Sequence, residues 1–260
     1  MCWLASRPMS TAVAAPIYGL LGLLVGSFLN VVAYRVPRGE SVVSPRSRCP
    51  SCEAPIAPRD NVPVLSWLVL RGRCRHCGTS ISARYPLIEA STGVAFAAVV
   101  VAVGVESELA LYLPFTALLV VVTVIDLEHR IVPNKLLLPA AIWALAGWVV
   151  VDPSFLPEAL LAGVGAFAFL LIAALAYPAG MGMGDVKLAG VIGLYLGLEV
   201  VPAMLVAFLA GSIVGVAIVV RSGRDARKQG VPFAPFLALG AFVGLLAGDE
   251  MIALYSDRFL

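Results

Sequence analysis

The sequence has few charged residues and a small net charge. Only 13% of its 260 residues are charged, whereas 60% are hydrophobic and the mean hydropathy is +0.96. A water-soluble domain could not hide so much apolar surface, so the composition excludes a soluble globular protein. The net charge of +2 is small, and membrane orientation explains where the basic residues lie. No nucleic-acid partner is therefore indicated.

The N-terminal region lacks the order of a cleaved signal peptide. Such a peptide has its positive charge before the apolar core and small residues after it. Here Ala12 and Ala14 come before the apolar run, and Arg35 and Arg38 follow it. We therefore expect a retained first membrane span with the N-terminus outside.

Long apolar runs are abundant. At about 20 apolar residues for each crossing, the chain predicts eight spans. The expected fold class is an all-α polytopic membrane protein with about eight transmembrane helices. The predicted spans are 16–36, 87–105, 109–125, 136–151, 159–177, 186–198, 200–220 and 233–247.

The positions of lysine and arginine predict the orientation of these spans, because basic residues near span ends stay in the cytoplasm. With the N-terminus outside, only Arg7 and Arg258 lie outside. On this basis we predict that the chain divides into two regions. The N-terminal region, 1–104, contains a cytoplasmic loop at 37–86, and the second region is 105–260. The inside loops then hold 16 of the 18 basic residues: Arg35, Arg38, Arg46, Arg48, Arg59, Arg71, Arg73, Arg75, Arg84, Arg130, Lys135, Lys187, Arg221, Arg224, Arg227 and Lys228.

Two CxxC pairs stand in the loop, Cys49 with Cys52 and Cys74 with Cys77. Each CxxC turn offers two thiolates, and two turns complete a closed tetrahedral shell for a structural Zn²⁺ ion. A redox dithiol and two disulfides are the alternatives, although a reducing cytoplasm disfavours disulfides. The fifth cysteine, Cys2, is expected to be incidental.

Two aspartates, Asp126 and Asp185, are expected at membrane depth, where ionisable side chains are costly and mark functional sites by default. Asp126 directly follows the third apolar run, and Asp185 precedes a sixth run of only 13 residues. That short run crosses a bilayer only if the segment from Gly180 to Asp185 also enters the membrane region. Gly180, Gly182 and Gly184 suit a non-helical backbone there.

The span count places both carboxylates on the same side of the bilayer, as a catalytic dyad requires. In such a dyad one carboxylate accepts a proton from water and the other donates one to a peptide carbonyl. Ordinary interfacial charges are an alternative, with Asp126 paired to Arg130 and Asp185 to Lys187. A proton-coupled secondary transporter is another, although no internal repeats are visible. A third is a zinc-binding interaction module on an inert anchor.

At these residues the sequence resembles the bacterial type IV prepilin peptidases, intramembrane aspartic proteases with a G-x-G-D motif. The resemblance implies that Asp126 and Asp185 are catalytic and that Gly182, Gly184 and Lys187 support the motif. The resemblance extends over nearly the whole chain. The segments that carry it are 26–32 together with Arg35 and Pro37, 49–77 including 60–67, 84–89, 125–126 and 131–133, 182–188, and 232–238.

The resemblance also implies the reaction. Members remove the basic leader of type IV prepilins or secretion pseudopilins at the cytoplasmic face of the bacterial inner membrane, and N-methylate the new terminus with S-adenosylmethionine. No Gly-rich nucleotide loop marks a methyl-donor site. Glu53, Asp60 and Glu89, expected as exposed loop acids, are candidates for that step. Asn134 stands where members often have Asp, and Ala234 where Gly is usual, which bears on substrate fit.

Overall fold

The computed structural model describes residues 10–178, 181–222 and 231–259. Cys2, Arg7, Gly180, Arg224, Arg227 and Lys228 lie outside the described residues. Within the described ranges the chain forms nine α-helices and no strand. They are α1 Thr11–Arg35, α2 Leu65–Val69, α3 Arg84–Val103, α4 Leu109–His129, α5 Asn134–Val151, α6 Leu156–Ala176, α7 Met183–Leu196, α8 Val200–Ser222 and α9 Ala234–Phe259.

The long helices coincide with the apolar runs. Seven continuous helical stretches in the described ranges are long and apolar enough to cross a membrane by length and composition. One of them, Met183–Arg221, has 39 residues, about twice the length of a crossing. It consists of α7 and α8, joined by the 3-10 turn Gly197–Glu199. The eight long helices confirm the predicted all-α polytopic fold class.

Several helices extend beyond the apolar runs that predicted them. The last predicted span ends at residue 247, but α9 continues through Asp249 and Glu250 to Phe259. Charged residues are compatible with helical backbone once the helix has left the apolar layer. The apolar run therefore marks the membrane-spanning part of a helix and not its end.

The described chain forms two compact units. The first contains the described residues of Met1–Val31 and Val43–Leu113, and the second contains those of Val32–Val42 and Pro114–Leu260. All four cysteines of the two CxxC pairs lie in the first unit. Both predicted catalytic aspartates lie in the second.

Close backbone contact joins α1 and α3 in the first unit. A Cβ atom added at Gly22 would lie 2.7 Å from the Thr92 carbonyl oxygen, and one added at Gly26 would lie 2.7 Å from Cα of Glu89. Small residues four positions apart allow membrane helices to approach in this way. The two glycines therefore fix the position of α3, the helix that follows the cysteine-bearing loop.

In the second unit α7 is largely buried and contacts α5, α6 and α9. A Cβ at Gly193 would lie 2.6 Å from the Ala162 carbonyl oxygen, so α6 and α7 touch through their backbones. The Tyr195 ring stacks on Phe115 with centroids 4.3 Å apart, and its hydroxyl donates to the Ala140 carbonyl at 2.9 Å. Since protein surrounds α7, its 14 residues need not match the thickness of the lipid.

Candidate active site and metal centre

Asp126 and Asp185 line one cavity of about 300 Å³ in the second unit. Asp126 comes from the last turn of α4 and Asp185 from the first turn of α7. Only 5% of Asp126 and 9% of Asp185 is exposed, and the two carboxyl groups interact electrostatically. The structure thus brings the two predicted aspartates together. The other lining residues are Arg130, Ile131, Val132, Asn134, Gly182, Gly184 and Lys187.

The N-terminus of α9 also contacts the site. The backbone N–H of Ala234, the first residue of α9, donates to Oδ2 of Asp126 at 3.2 Å. The first N–H groups of a helix have no partner within the helix, so a carboxylate is a natural acceptor for them. Sequence reasoning missed this contact, although Pro235 is a signal of a helix start.

Asp185 is positioned by the start of α7. Gly182 precedes the helix with an extended backbone (φ −80°, ψ 146°), and the helix begins at Met183. The expectation of non-helical backbone at Gly184 is therefore wrong, since this glycine lies in the first helical turn. A Cβ at Gly184 would lie 2.8 Å from Cβ of Val132. Gly184 thus allows close packing of α7 against the chain segment that follows α4.

The two ion pairs considered as alternatives to a dyad do not form. Lys187 donates from Nζ to Oδ1 of Asn134 at 3.1 Å. Arg130 adopts a left-handed backbone (φ 54°) just past α4, and its side chain interacts with Asp126 only at longer range. Across the described ranges neither Asp126 nor Asp185 forms a salt bridge. Both carboxyl groups are therefore available to a ligand in the cavity.

The four cysteines of the first unit form a cluster that can hold a metal ion. Their sulfur atoms all lie within 4.8 Å of one another, and the Sγ atoms of Cys49 and Cys77 are 3.8 Å apart. Four sulfurs about 2.3 Å from a tetrahedral Zn²⁺ ion would be separated by about 3.8 Å. None of the four forms a disulfide. The donor set therefore fits a closed metal site and not the disulfide alternative.

The two cysteine turns have matching backbones. The N–H of the first cysteine in each turn, Cys49 or Cys74, donates to the carbonyl five residues further along, at 3.0 and 2.8 Å. The residue after the second cysteine is left-handed in both turns, with φ of 58° at Glu53 and 72° at Gly78. Such repeated turns direct two sulfurs each towards one point.

Polar contacts support the second cysteine turn. Hydrogen bonds to the Thr79 hydroxyl and backbone, with smaller contributions from Cys74 and Cys52, lower the pKa of the Cys77 thiol to about 6, which favours the thiolate that binds metal. Arg75 forms a bidentate ion pair with Asp60, with one N–O distance of 2.7 Å. This hydrogen-bonded pair lowers the pKa of the Asp60 carboxyl. The Arg75–Asp60 ion pair connects the second cysteine turn to the loop residues that precede it.

The expectation that Glu89 is an exposed loop acid is wrong. Glu89 lies in α3, is only 8% exposed, and accepts a hydrogen bond at Oε2 from the Val64 backbone N–H at 2.7 Å. Burial of a charged residue depends on packing, which its sequence neighbours do not show. The signal that could have indicated a helical position for Glu89 is its place only five residues into the helix that starts at Arg84.

Comparison with known proteins identifies relatives along nearly the whole chain. Residues 20–103 match the bacterial peptidase A24 N-terminal domain, and residues 113–220 match the type IV leader peptidase family. The chain is 35% identical to the prepilin leader peptidase/N-methyltransferase of Bacillus subtilis (strain 168), over 91% of this chain and 95% of the relative. Proteins with the same name from Aeromonas hydrophila (34% identity, 93% of each chain) and Neisseria gonorrhoeae (35%, 92% of each) are similarly close.

No solved structure matches this chain. The sequence relatives nevertheless cover more than 90% of both chains at identities above 30%. The family-model matches at residues 20–103 and 113–220 span the four cysteines and both aspartates of the cavity. By these matches, the chain belongs to the type IV leader peptidase family.

Proposed function

We propose that this protein is an intramembrane aspartic endopeptidase that removes the basic leader of type IV prepilins or pseudopilins. Its catalytic residues are Asp126 and Asp185. The observation that carries the proposal is the meeting of these two buried carboxyl groups, from α4 and α7, in one cavity. The region 105–260 is assigned to peptidase chemistry, and the region 1–104 to the cysteine cluster and its supporting helices.

The chemistry follows from two carboxyl groups that share one proton. The ionised carboxylate accepts a proton from water as the water oxygen bonds to the peptide carbon, and the protonated carboxyl donates to the carbonyl oxygen. The C–N bond then breaks, and the leaving nitrogen takes a proton from the dyad. The leader ends in a carboxylate and the mature protein begins with a free amine. Ala234 contributes by holding Oδ2 of Asp126.

The substrate's own chemistry places the scissile bond near this cavity. A pilin-like precursor joins a basic leader to an apolar helix, and the positive leader stays in the cytoplasm. The same rule orients this chain with its N-terminus outside and the cytoplasmic ends of α4 and α7 carrying the dyad. We therefore assign the protein to the bacterial inner membrane with its active site facing the cytoplasm.

N-methylation of the new terminus is the second proposed activity. Each relative named above carries both activities in its name, and residues 20–103 of this chain match the peptidase A24 N-terminal domain. S-adenosylmethionine would supply the methyl group: its sulfur–methyl bond would break as the methyl bonds to the terminal nitrogen, the amine would lose a proton, and S-adenosylhomocysteine would leave. No residue is assigned to the donor. The transporter alternative finds no support among these relatives.

The metal proposed for Cys49, Cys52, Cys74 and Cys77 is a structural Zn²⁺ ion. Four thiolates fill its coordination shell and leave no open position for water, so its contribution is to folding. The loop between α1 and α3 has only the five-residue helix α2 as regular α-helix. Such a segment gains much of its stability from a bound metal.

The test is co-expression of each variant with a pilin precursor, followed by mass spectrometry of the pilin N-terminus. Asp126→Asn and Asp185→Asn should each abolish cleavage, since each removes one proton-transfer group from the dyad. Cleavage and methylation change the mass separately, so one spectrum reports both activities.

Asp257→Asn is the matched control, because Asp257 is an exposed aspartate on α9. It should cleave normally. Each variant is also quantified in the membrane fraction to show that it inserts. Cleavage retained by either active-site variant would exclude the dyad.

A further inference from the structure

The short helix α2, Leu65–Val69, has its apolar residues outward and its polar residue inward. Leu65, Leu68 and Val69 are 60%, 57% and 76% exposed, whereas Ser66 is buried. The three apolar residues are spaced i, i+3 and i+4, so they form one face of the helix. This arrangement is the reverse of the one expected for a helix on a water-soluble domain.

Hydrogen bonds fix the inward face of α2. The Ser66 hydroxyl accepts from the Val62 N–H at 2.8 Å and donates to the Arg59 carbonyl at 3.1 Å. The indole N–H of Trp67 donates to the Ile81 carbonyl at 3.0 Å. Rotating the apolar residues inward would break all three bonds. The outward apolar face is therefore built into the fold of the loop.

A further hydrogen bond holds the start of α2 beside the first turns of α3. Val64, the residue before α2, donates its N–H to the buried Glu89 carboxylate. Glu89 lies five residues into α3, or about 7.5 Å along the helix axis. The 20 residues of α3 span about 30 Å, the thickness of the hydrocarbon core. The start of α2 thus lies level with the first turns of the membrane helix.

The surroundings of the apolar face suit an anionic lipid surface. Exposed Arg71 and Arg73 follow α2, and Arg59 precedes it. The nearby Asp60 is already paired with Arg75. On α3, Leu87 is also apolar and 66% exposed, and it lies in the same first turn and a half of the helix as Glu89. Basic residues beside an apolar helix face are typical of helices that lie in the membrane interface.

We propose that α2 is an interfacial helix, with Leu65, Leu68 and Val69 inserted among phospholipid acyl chains and the flanking arginines bound to anionic headgroups. The occupant of this face is the same leaflet that the N-terminal end of α3 enters. The Val64–Glu89 bond holds the helix at that boundary. The cysteine-bearing loop is thereby anchored to the membrane surface between its two spans.

Photocrosslinking in the full-length protein tests the contact. Leu68→benzoylphenylalanine is reconstituted in vesicles of phosphatidylethanolamine and phosphatidylglycerol, irradiated, and digested for mass spectrometry. Val94, 71% exposed in the middle of α3, is the positive control position, and exposed Ser80 of the second cysteine turn is the negative one. Phospholipid adducts are expected at positions 68 and 94 and not at 80.

An adduct at position 94 without one at 68 would overturn the proposal. So would crosslinking of position 68 to a second copy of the chain or to another protein, since either would make α2 a protein-binding face. Adducts at 68 and 80 alike would show an unspecific collision with lipid and also overturn it.

The lipid charge gives a second measurement. Each arginine near an anionic surface strengthens attachment about fivefold. Arg71→Gln should therefore lower the yield of lipid adducts at position 68 by up to about fivefold in phosphatidylglycerol-containing vesicles, and leave it unchanged in purely zwitterionic ones. An equal yield from both proteins in the anionic vesicles would overturn the role of the headgroups.

Discussion

The backbone N–H of Ala234 donates to Oδ2 of Asp126 across 3.2 Å. This bond connects the first residue of α9 to a carboxylate on α4, more than a hundred residues earlier in the chain. Asp126 also lines the cavity that Asp185 shares. A main-chain group thus orients one member of the proposed dyad, and any residue except proline at position 234 would supply it.

Removing that N–H should impair the reaction. Ala234→Pro deletes the donor in the first turn of α9, where proline is tolerated by a helix. Hydrogen bonds to charged groups contribute about 1.5–3 kcal/mol, so kcat/KM for prepilin cleavage should fall about tenfold to a hundredfold. Ala234→Gly retains the N–H and should cleave nearly normally. Equal activities of the two variants would show that the bond does not matter.

The two motif glycines should differ in their tolerance of a methyl group. At Gly184 an added Cβ meets Cβ of Val132 at 2.8 Å, whereas at Gly182 the nearest atom is Oδ2 of Asp185 at 3.5 Å, an ordinary contact. Overpacking costs about 1–3 kcal/mol. Gly184→Ala should therefore reduce cleavage more than Gly182→Ala, as measured with a co-expressed prepilin.

A compensating change tests the cause. Val132→Ala combined with Gly184→Ala relieves the contact at its other side and should recover part of the lost cleavage. If the double variant is no better than Gly184→Ala alone, steric crowding is not the reason for the loss.

The cysteine cluster should bind one zinc ion per chain. Cys49→Ser or Cys74→Ser breaks the four-sulfur shell, and metal analysis of the purified protein should show zinc falling from about one ion to near zero. The loop should then be cut faster by protease, because the metal contributes to its folding. Cys2→Ser is the control, since this cysteine belongs to neither pair. Full zinc content in the Cys49 and Cys74 variants would refute the site.

Glu89 should hold the loop against α3. Glu89→Leu leaves the Val64 N–H without its acceptor, and Val64 has a left-handed backbone (φ 60°) that is unfavourable for a β-branched residue. An unmet buried hydrogen bond costs about 1–3 kcal/mol. Amides of residues 64–70 should exchange with deuterium at least several-fold faster.

Glu89→Gln keeps an oxygen acceptor and should retain most of that protection. Glu40→Leu, at an exposed acid of the same loop, is the matched surface control and should leave this protection unchanged. If the amides of residues 64–70 are protected from exchange equally well in Glu89→Leu and in the unaltered protein, the loop is held by other contacts.

The sequence by itself determined where the helices lie, which four cysteines form the cluster, and which two aspartates are proposed as catalytic. These features are local, because a membrane span is read from a continuous apolar run and a metal turn from the spacing of Cys49 and Cys52 or of Cys74 and Cys77. The acids at 126 and 185 were notable for their position beside such runs. The resemblance to prepilin peptidases depended on the same local motifs.

Only the tertiary structure decided which other groups join them. The Ala234 N–H reaches Asp126, Val132 packs on Gly184, and Glu89 is buried under Val64, because helices distant in sequence meet at particular rotations. A shift of one residue turns a helical side chain by about 100°, and the apolar runs of these membrane helices carry too little polarity to fix that rotation. Close packing between helices sets it instead, and so determines the composition of the cavity.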